Sequence, residues 1–296
     1  MTTVGRSGTV LVGMDDTSDA WLAVEWAAAE AELSGDALRI LHSVDLGEEP
    51  EGADQEDDAR VVQTGAGVLD DAQARIALAR PGLGTDVVLA RGHPAEALVA
   101  AARDADARLI VVGTRGRGGF TGLLVGSVSL KLAAHADRPV AVVRGRSDGD
   151  AVRDVVVVGI ADERDGDVVR FGLAEAGRRG TTVRLLHAWT PLSRAGLMVP
   201  QVSRVDDDMR LHEQLLDRAL APVAEYPRVH AEPEMVIGSA AGVLVEASER
   251  AGLVVVGRRP PRGRLGLRLG TVSHAVLHHA NCPVAVVPVA AGQPED

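Results

Sequence analysis

The feature that most constrains this chain is an internal repeat, because two copies of one pattern are expected to fold in the same way. RLIVVGTRG at 108–116 returns as GLVVVGRRP at 252–260, which is 144 residues later. LVGSVSLKLAAHADRPVAVV at 124–143 returns at the same distance as RLGTVSHAVLHHANCPVAVV at 268–287. Two upstream pairs agree less closely: TVLVGMD at 9–15 with VVVVGIA at 155–161, and ALRILHS at 37–43 with TVRLLHA at 182–188.

We therefore interpret the 296-residue chain as a tandem duplication, with one domain at 1–147 and a second at 148–296. The seam falls in RGRSDGDAVRD at 144–154, a segment rich in glycine and charge without periodicity, which is typical of a linker.

Each copy alternates short β-branched runs with longer segments of helical period, which predicts βαβ units around a parallel sheet. Runs such as LIVVG and PVAVV are apolar throughout, as expected of strands covered by helices on both faces. The sequence thus predicts an α/β fold of two tandem, doubly wound domains, each with a five-stranded parallel sheet. In the first copy we predict strands near 8–14, 37–44, 85–91, 108–113 and 139–144 and helices near 18–33, 59–79, 94–105 and 127–135, and the second copy follows the same plan.

Charge and composition exclude several classes of partner. A net charge of −11 argues against nucleic acid and anionic membranes, and the 2% of aromatic residues argues against a platform that stacks single-stranded bases. No apolar run reaches the roughly 18 residues of a membrane span, and the start MTTVGRSGTV lacks the apolar region of a signal peptide. With Cys282 as the one cysteine, we expect a cytoplasmic protein without an intrachain disulfide.

A glycine-rich loop follows the fourth predicted strand, where an open α/β sheet places its ligand. Gly113 ends this strand, where a missing side chain would let a ribose or phosphate lie against the backbone, and Gly116 allows the turn that follows. Nine residues later, Gly126 and Ser127 precede a helix, so we expect Ser127 to be its N-cap. The N–H groups of Ser127, Val128 and Ser129 would then form an anion site.

Two charged residues complete this crevice. Arg115 adds a planar donor fork suited to phosphate oxygens, and Asp15, at the end of the first strand, could accept from ribose hydroxyls or hold a divalent ion. There is no GxxxxGK[ST] motif, and no GxGxxG follows the first strand. From spacing alone, a plain connecting loop remains an equal alternative to a nucleotide site.

Other polar features receive structural interpretations. The acidic run at 45–58 is read as a solvated loop, and the histidines at equivalent strand ends, His42 and His187, as hydrogen-bonded framework residues. His274 and His278 have the spacing of a zinc pair, but no further ligands complete a set, so we predict no metal site.

The spacing Gly113-x2-Gly116-x9-Gly126-Ser127, with VGMD, LHS and PVAVV at the other strand positions, resembles the ATP-binding branch of the universal stress protein family over nearly the whole chain. The resemblance implies the adenine nucleotide alpha hydrolase-like fold, ATP as ligand with Mg²⁺ as a candidate companion, and pairing of the two domains through their last strands, with a homodimer as a further option. Ser43 stands where the family usually has an aliphatic residue. The implied contacts are Gly13, Asp15 and Ser43 with adenosine, Gly113, Arg115 and Gly116 with ribose and phosphates, and Gly126, Ser127, Val128 and Ser129 with the triphosphate.

The second copy keeps only part of this pattern. Pro260 stands where the first copy has Gly116, and Ala161 replaces Asp15, so that Asp162 would have to reach back to substitute for the carboxylate. We therefore expect a weaker nucleotide site or none there. The retained candidates are Gly257, Arg259, Gly270, Thr271 and Ser273.

No catalytic constellation can be read from the sequence. The resemblance implies an ATP-dependent switch or sensor in stress adaptation. A slow ATP hydrolase or nucleotidyl transferase, and an interaction scaffold without nucleotide, stay open as alternatives.

Overall fold

A computed structural model describes residues 8–45, 55–116, 124–145, 155–190, 203–259 and 269–289. The chain forms two compact units, Met1–Gly145 and Arg146–Asp296. Of the helices within the described ranges, none combines the length and the apolar character that a membrane-spanning segment needs.

The first unit alternates strands and helices as the sequence predicts. Its five strands are parallel and lie in the order β3-β2-β1-β4-β5. The elements are β1 Thr9–Gly13, α1 Ser18–Ser34, β2 Ala37–Val44, α2 Gln55–Ala79, β3 Thr85–Arg91, α3 Pro94–Asp104, β4 Ala107–Gly113, α4 Ser127–His135 and β5 Val140–Val143.

The second unit repeats this plan, with its strands in the order β10-β9-β6-β7-β8, again parallel. Two short 3-10 helices, Glu163–Asp165 and Ala221–Glu225, supplement the regular elements. The strands and α-helices of this unit are β6 Val156–Ile160, α5 Gly166–Arg179, β7 Val183–Trp189, α6 Ser203–Ala219, β8 Ala231–Ile237, α7 Ala240–Ser248, β9 Leu253–Arg258, α8 Thr271–His279 and β10 Val284–Pro288. The predicted fold class, tandem α/β with parallel strands, is confirmed.

The acidic run differs in part from its prediction as a loop. Residues 46–54 lie outside the described ranges, whereas Gln55 begins α2 and Glu56, Asp57 and Asp58 occupy its first turn. Carboxylates in this turn favour a helix because they face the positive end of its dipole. The helix therefore begins four residues earlier than the hydrophobic periodicity predicts.

Aliphatic packing explains why the central strands form. Val10, Leu11 and Val12 of β1 and Ile110 and Val111 of β4 are fully buried, as strands covered on both faces must be. Helix α1 meets them with small residues that permit a close approach: Ala20, Ala23, Ala27, Ala28 and Ala31 are all buried.

The strand order reverses next to β1 and thereby positions a cleft. From β1 the chain proceeds to β2 and β3 on one side, and it then returns to place β4 on the other side of β1. Because the connections on the two sides diverge, a crevice opens at the carboxyl ends of β1 and β4. The same reversal occurs between β6 and β9 in the second unit.

Candidate functional site

A cavity of about 1080 Å³ lies at this crevice of the first unit. Its volume is of the order of known small-molecule sites. It brings together all ten residues that the sequence analysis selected in the first copy: Gly13, Asp15, Ser43, Gly113, Arg115, Gly116, Gly126, Ser127, Val128 and Ser129.

Close packing explains two of the loop glycines. A Cβ on Gly113 would lie 2.6 Å from the backbone oxygen of Asp19, so this glycine allows α1 to approach β4. A Cβ on Gly116 would collide with Oδ2 of Asp15. Gly116 is not among the described glycines with positive φ. A glycine at residue 116 therefore leaves room for the Asp15 side chain, and it does not serve a left-handed backbone conformation.

The prediction that Ser127 caps α4 is wrong, because Gly126 is the N-cap and Ser127 is already the first helical residue. Gly126 has an extended backbone, with φ −77° and ψ 162°, and no side chain caps the helix. The hydroxyl of Ser129 is buried and donates to the backbone oxygen of Gly113 at 2.7 Å, which ties α4 to the end of β4. Gly126, Ser127, Val128 and Ser129 at this helix start line the cavity, and the Ser127 side chain is exposed.

Asp15 is oriented by a residue that the sequence analysis did not select. The hydroxyl of Thr17 donates to Asp15 Oδ1 at 2.6 Å, and the backbone N–H of Thr17 lies 3.2 Å from the same oxygen. The Thr17 oxygen also accepts from the N–H of Ala20, and Thr17 is thus the N-cap of α1. One side chain therefore both starts the helix and fixes the carboxylate at the end of β1. A cap signal at Thr17 is visible in the sequence, but its bond to Asp15 is not.

Arg115 keeps an accessible guanidinium. Its Nε lies 3.5 Å from Asp19 Oδ2, an oxygen that also accepts from the Thr114 hydroxyl at 2.6 Å. The Arg115 side chain is 53% exposed, whereas that of Asp19 is 16% exposed. Asp19 thus holds the arginine at the cavity without enclosing it.

The end of β2 forms another part of the cavity wall. His42 is buried, and its Nδ1 donates to the carbonyl of Met14 at 2.6 Å, which agrees with the framework role predicted for it. The hydroxyl of Ser43 donates to the carbonyl of Gly92, the residue after β3, at 2.5 Å. Both side chains connect neighbouring strand ends and help to keep this edge in place.

Helices α2 and α3 supply wall residues that sequence reasoning missed. No local signal assigns them to a site, because they reach it only when the helices pack on the sheet. With strand residues Leu41, Val44 and Val112 they give the cavity an apolar part, and α2 adds polar groups at its rim. These helix residues are Asp57, Arg60, Val61, Thr64, Gly65, Pro94 and Leu98.

The equivalent crevice of the second unit has different electrostatics. Arg259 lies 2.5 Å from Oδ1 of Asp165 and 3.3 Å from Oδ1 of Asp162, and its side chain is 29% exposed. Asp165 is buried, and its other oxygen accepts from the backbone N–H groups of Ala161 and Asp162. The predicted phosphate donor of the second copy is therefore held in an internal ion pair.

Asp162, the expected substitute for Asp15, is also engaged. Burial alone would raise the pKa of its carboxyl group, but hydrogen bonds from Arg164 and the charge of Arg259 outweigh this effect and lower the pKa. Ser273 donates to the carbonyl of Gly257 at 3.0 Å, as Ser129 does to Gly113 in the first unit. Gly270 and Thr271 begin α8 as Gly126 and Ser127 begin α4, whereas Pro260 lies outside the described residues.

Aromatic side chains cover the end of β7. His187 donates from Nδ1 to the carbonyl of Ile160, and its Nε2 lies 2.8 Å from His212 Nδ1. The His212 ring lies against Trp189, which is buried, with ring centroids 4.8 Å apart. Burial lowers the pKa of His212, the charge of His187 lowers it further, and Asp208 opposes the shift.

Fold and cleft together define a tandem α/β protein with doubly wound parallel strands and, in its first unit, a ligand-sized cavity at the strand-order reversal. The model of the universal stress protein family matches twice, at residues 7–144 and 153–288. The chain belongs to this family, and the resemblance to universal stress proteins seen in the sequence is confirmed.

Similar proteins include two from Mycobacterium tuberculosis. Universal stress protein Rv2623 is 33% identical over 94% of this chain and 95% of its own, and universal stress protein Rv2005c is 31% identical over 94% and 96%. Among solved structures, a universal stress protein from Archaeoglobus fulgidus matches with a TM-score of 0.70 over 95% of this chain and 98% of its own, at 16% identity. This structural match supports the fold.

Proposed function

We propose that the first unit binds an adenine nucleotide, with ATP as the ligand, in the cavity at the ends of β1, β2 and β4. The observation that carries the proposal is the start of α4. Gly126 leaves the first N–H groups of this helix without a side-chain cap, and the residues that carry these groups line the cavity together with Arg115. Backbone donors at a helix N-terminus beside an accessible arginine suit a polyphosphate.

The remainder of the cavity suits a nucleoside. Its apolar part, which includes Leu41, Val61 and Leu98, can enclose the faces of a base, and Asp15 offers carboxylate oxygens to ribose hydroxyls. Mg²⁺ prefers oxygen ligands and keeps substrate phosphates among them, and Asp15 is the carboxylate that would hold it beside the triphosphate.

Family membership supports a proposal for the cellular role. We infer that ATP binding makes the protein a switch or sensor in stress adaptation, acting in the cytoplasm, where a lone cysteine stays reduced. The second unit takes nucleotide weakly or not at all in this proposal, because Arg259 is neutralised by Asp165 and Asp162.

The decisive experiment is to denature purified full-length protein and identify released small molecules by mass spectrometry. Release of ATP or ADP, followed by calorimetric titration of nucleotide-free protein with ATP, would support the proposal. No released nucleotide together with no heat of ATP binding would reject it and favour the scaffold alternative. Phosphate release measured in the same samples tests the hydrolase alternative.

A further inference from the structure

Thr114, the residue that follows β4, is buried and is held through both its backbone and its side chain. Its carbonyl accepts from the N–H of Gly126 at 2.6 Å, which joins it to the start of α4. Its hydroxyl donates to Oδ2 of Asp19 at 2.6 Å, which joins it to the first turn of α1. The Thr114 hydroxyl therefore has a fixed place between the starts of these two helices.

The Asp19 oxygen that accepts from this hydroxyl is also the oxygen that faces Arg115. Nε of Arg115 lies 3.5 Å from it. This separation is longer than the roughly 2.7–3.2 Å of an N–H···O hydrogen bond, and the Arg115 side chain stays half exposed. The carboxylate thus attracts the guanidinium by its charge, while the oxygen nearest to the guanidinium already holds a hydroxyl hydrogen.

The second copy has the same carboxylate and arginine without the hydroxyl. The equivalent pair is Asp165 and Arg259, and Arg258 stands where the first copy has Thr114. Nη2 of Arg259 lies 2.5 Å from Oδ1 of Asp165, and the arginine is less exposed than its counterpart in the first copy. The arginine therefore closes on the carboxylate in the copy that lacks the hydroxyl, and it stays half exposed in the copy that has it.

We infer that Thr114 is a positioning residue, which keeps Arg115 available to an anionic ligand by occupying the Asp19 oxygen on which the guanidinium would otherwise close. The hydroxyl hydrogen takes one lone pair of this oxygen and partly neutralises it, so the guanidinium gains less by leaving the cavity for Asp19. The inference rests on the proposed nucleotide function for the identity of the anion, a phosphate of ATP. It adds a residue that acts on the ligand only through the arginine.

The first test measures ATP binding to full-length protein by calorimetry. Thr114→Val replaces the hydroxyl with a methyl group, so Arg115 should close on Asp19 and ATP binding should weaken about three- to tenfold. Thr114→Ser keeps the hydroxyl and should bind ATP as wild type does. In an Asp19→Asn background the countercharge is absent, and there Thr114→Val should leave ATP binding unchanged, because the two residues act as one unit.

The second test needs no nucleotide. Phenylglyoxal reacts with accessible guanidinium groups, and mass spectrometry of the peptides gives a rate for each arginine. In protein freed of nucleotide, Arg115 should react more slowly in Thr114→Val than in wild type. Arg103, an exposed arginine of α3 that pairs with Asp137, is the internal reference and should react equally in both proteins.

An equal loss of ATP affinity from Thr114→Val with and without the Asp19 carboxylate would overturn the inference, because it would show an effect on the cavity wall. Unchanged ATP affinity or unchanged Arg115 reactivity in folded Thr114→Val would also overturn it. If wild type does not bind ATP, the proposed function fails, and the reactivity of Arg115 still decides the inference.

A reverse variant covers the case in which Thr114→Val does not fold. Arg258→Thr places a hydroxyl at the equivalent position of the second copy, where it should release Arg259 from Asp165. Faster reaction of Arg259 with phenylglyoxal in Arg258→Thr than in wild type would support the inference. An unchanged rate would overturn it.

Discussion

Gly116 and Asp15 compete for one volume, since a Cβ on residue 116 would occupy the place of Asp15 Oδ2. In the second copy both positions differ, with Ala161 in place of the carboxylate and Pro260 in place of the glycine. Loss of the carboxylate in the second copy therefore removes this one requirement for a glycine at the equivalent position.

This competition predicts that Gly116→Ala acts on nucleotide binding through Asp15. We expect Gly116→Ala and Asp15→Ala each to weaken ATP binding about tenfold or more, since each disturbs charge-assisted hydrogen bonds to the ligand. The double variant should bind little worse than Asp15→Ala alone, because coupled neighbours are not additive. A calorimetric double-mutant cycle measures this coupling, and additive losses would show that the two residues act separately.

Variants of Gly126 and Gly113 distinguish an effect on nucleotide binding from an effect on folding stability. A Cβ on Gly126 would lie 3.3 Å from the Thr114 carbonyl oxygen, which a small shift accommodates, whereas a Cβ on Gly113 would lie 2.6 Å from the Asp19 oxygen. Gly126→Ala should therefore unfold near the wild-type temperature but bind ATP about tenfold or more weakly, as phosphates approach this backbone closely.

Gly113→Ala is the matched control, with a lowered unfolding temperature as its primary defect, because α1 must move away from β4. Thermal unfolding and ATP titration of both variants give the comparison. Wild-type ATP affinity in a folded Gly126→Ala would contradict the assignment of the phosphates to α4.

At the scale of elements, the sequence was sufficient to predict the strands, the helices and the strand-end residues that line the cavity. Apolar runs bounded by glycine identify the strands, and parallel strands bring Asp15, Ser43 and Gly113 to one edge regardless of how the helices pack. What could not be predicted depends on contacts between elements. Asp19 and Val61 are ordinary helical residues until α1 and α2 are placed, and the reason for Gly113 is a backbone atom of α1.

The contact between His187 of β7 and His212 of α6 makes the stability of the fold depend on pH. Since burial lowers the pKa of His212 below its ordinary value of 6.5, the folded state prefers the neutral ring. Its contribution to stability is fully present above pH 6.5 and is lost as the pH falls toward the folded pKa. His187 and Asp208 are the titratable groups that act on it, and Trp189 covers the ring.

We expect the stability advantage of wild type over His212→Phe to shrink between about pH 7 and pH 5. Phenylalanine keeps a ring against Trp189 but neither donates to His187 nor titrates. Thermal unfolding of both proteins across this range measures the difference, in which the contributions of histidines that do not contact His212 cancel. A difference that does not vary with pH would show that His212 has the same pKa in the folded and the unfolded chain.

At the scale of the whole molecule, duplication has preserved the strand order and changed the chemistry at the strand ends. Asp19 and Asp165 are equivalent residues, and each faces the equivalent arginine. In the first unit the Thr114 hydroxyl donates to the same carboxylate oxygen of Asp19 that Arg115 faces, and the Arg115 side chain remains half exposed. In the second unit Arg258 replaces Thr114 in the sequence, and Arg259 closes on the buried carboxylate at 2.5 Å. The arginine of the first pair is accessible to an anionic ligand, whereas the charge of the second arginine is neutralised by a buried carboxylate.

This divergence predicts one nucleotide per chain, and matched arginine variants test it. Arg115→Gln should weaken ATP binding about tenfold with little change in the unfolding temperature, because the arginine is exposed and its ion pair is long. Arg259→Gln should leave ATP affinity unchanged but destabilise the second unit by about 3 kcal/mol, because Asp165 would be left buried without its countercharge. Titration of full-length protein gives stoichiometry and affinity, and thermal unfolding gives stability. Two equivalents of ATP, or a loss of affinity in Arg259→Gln, would show that the second unit binds nucleotide despite its internal ion pair.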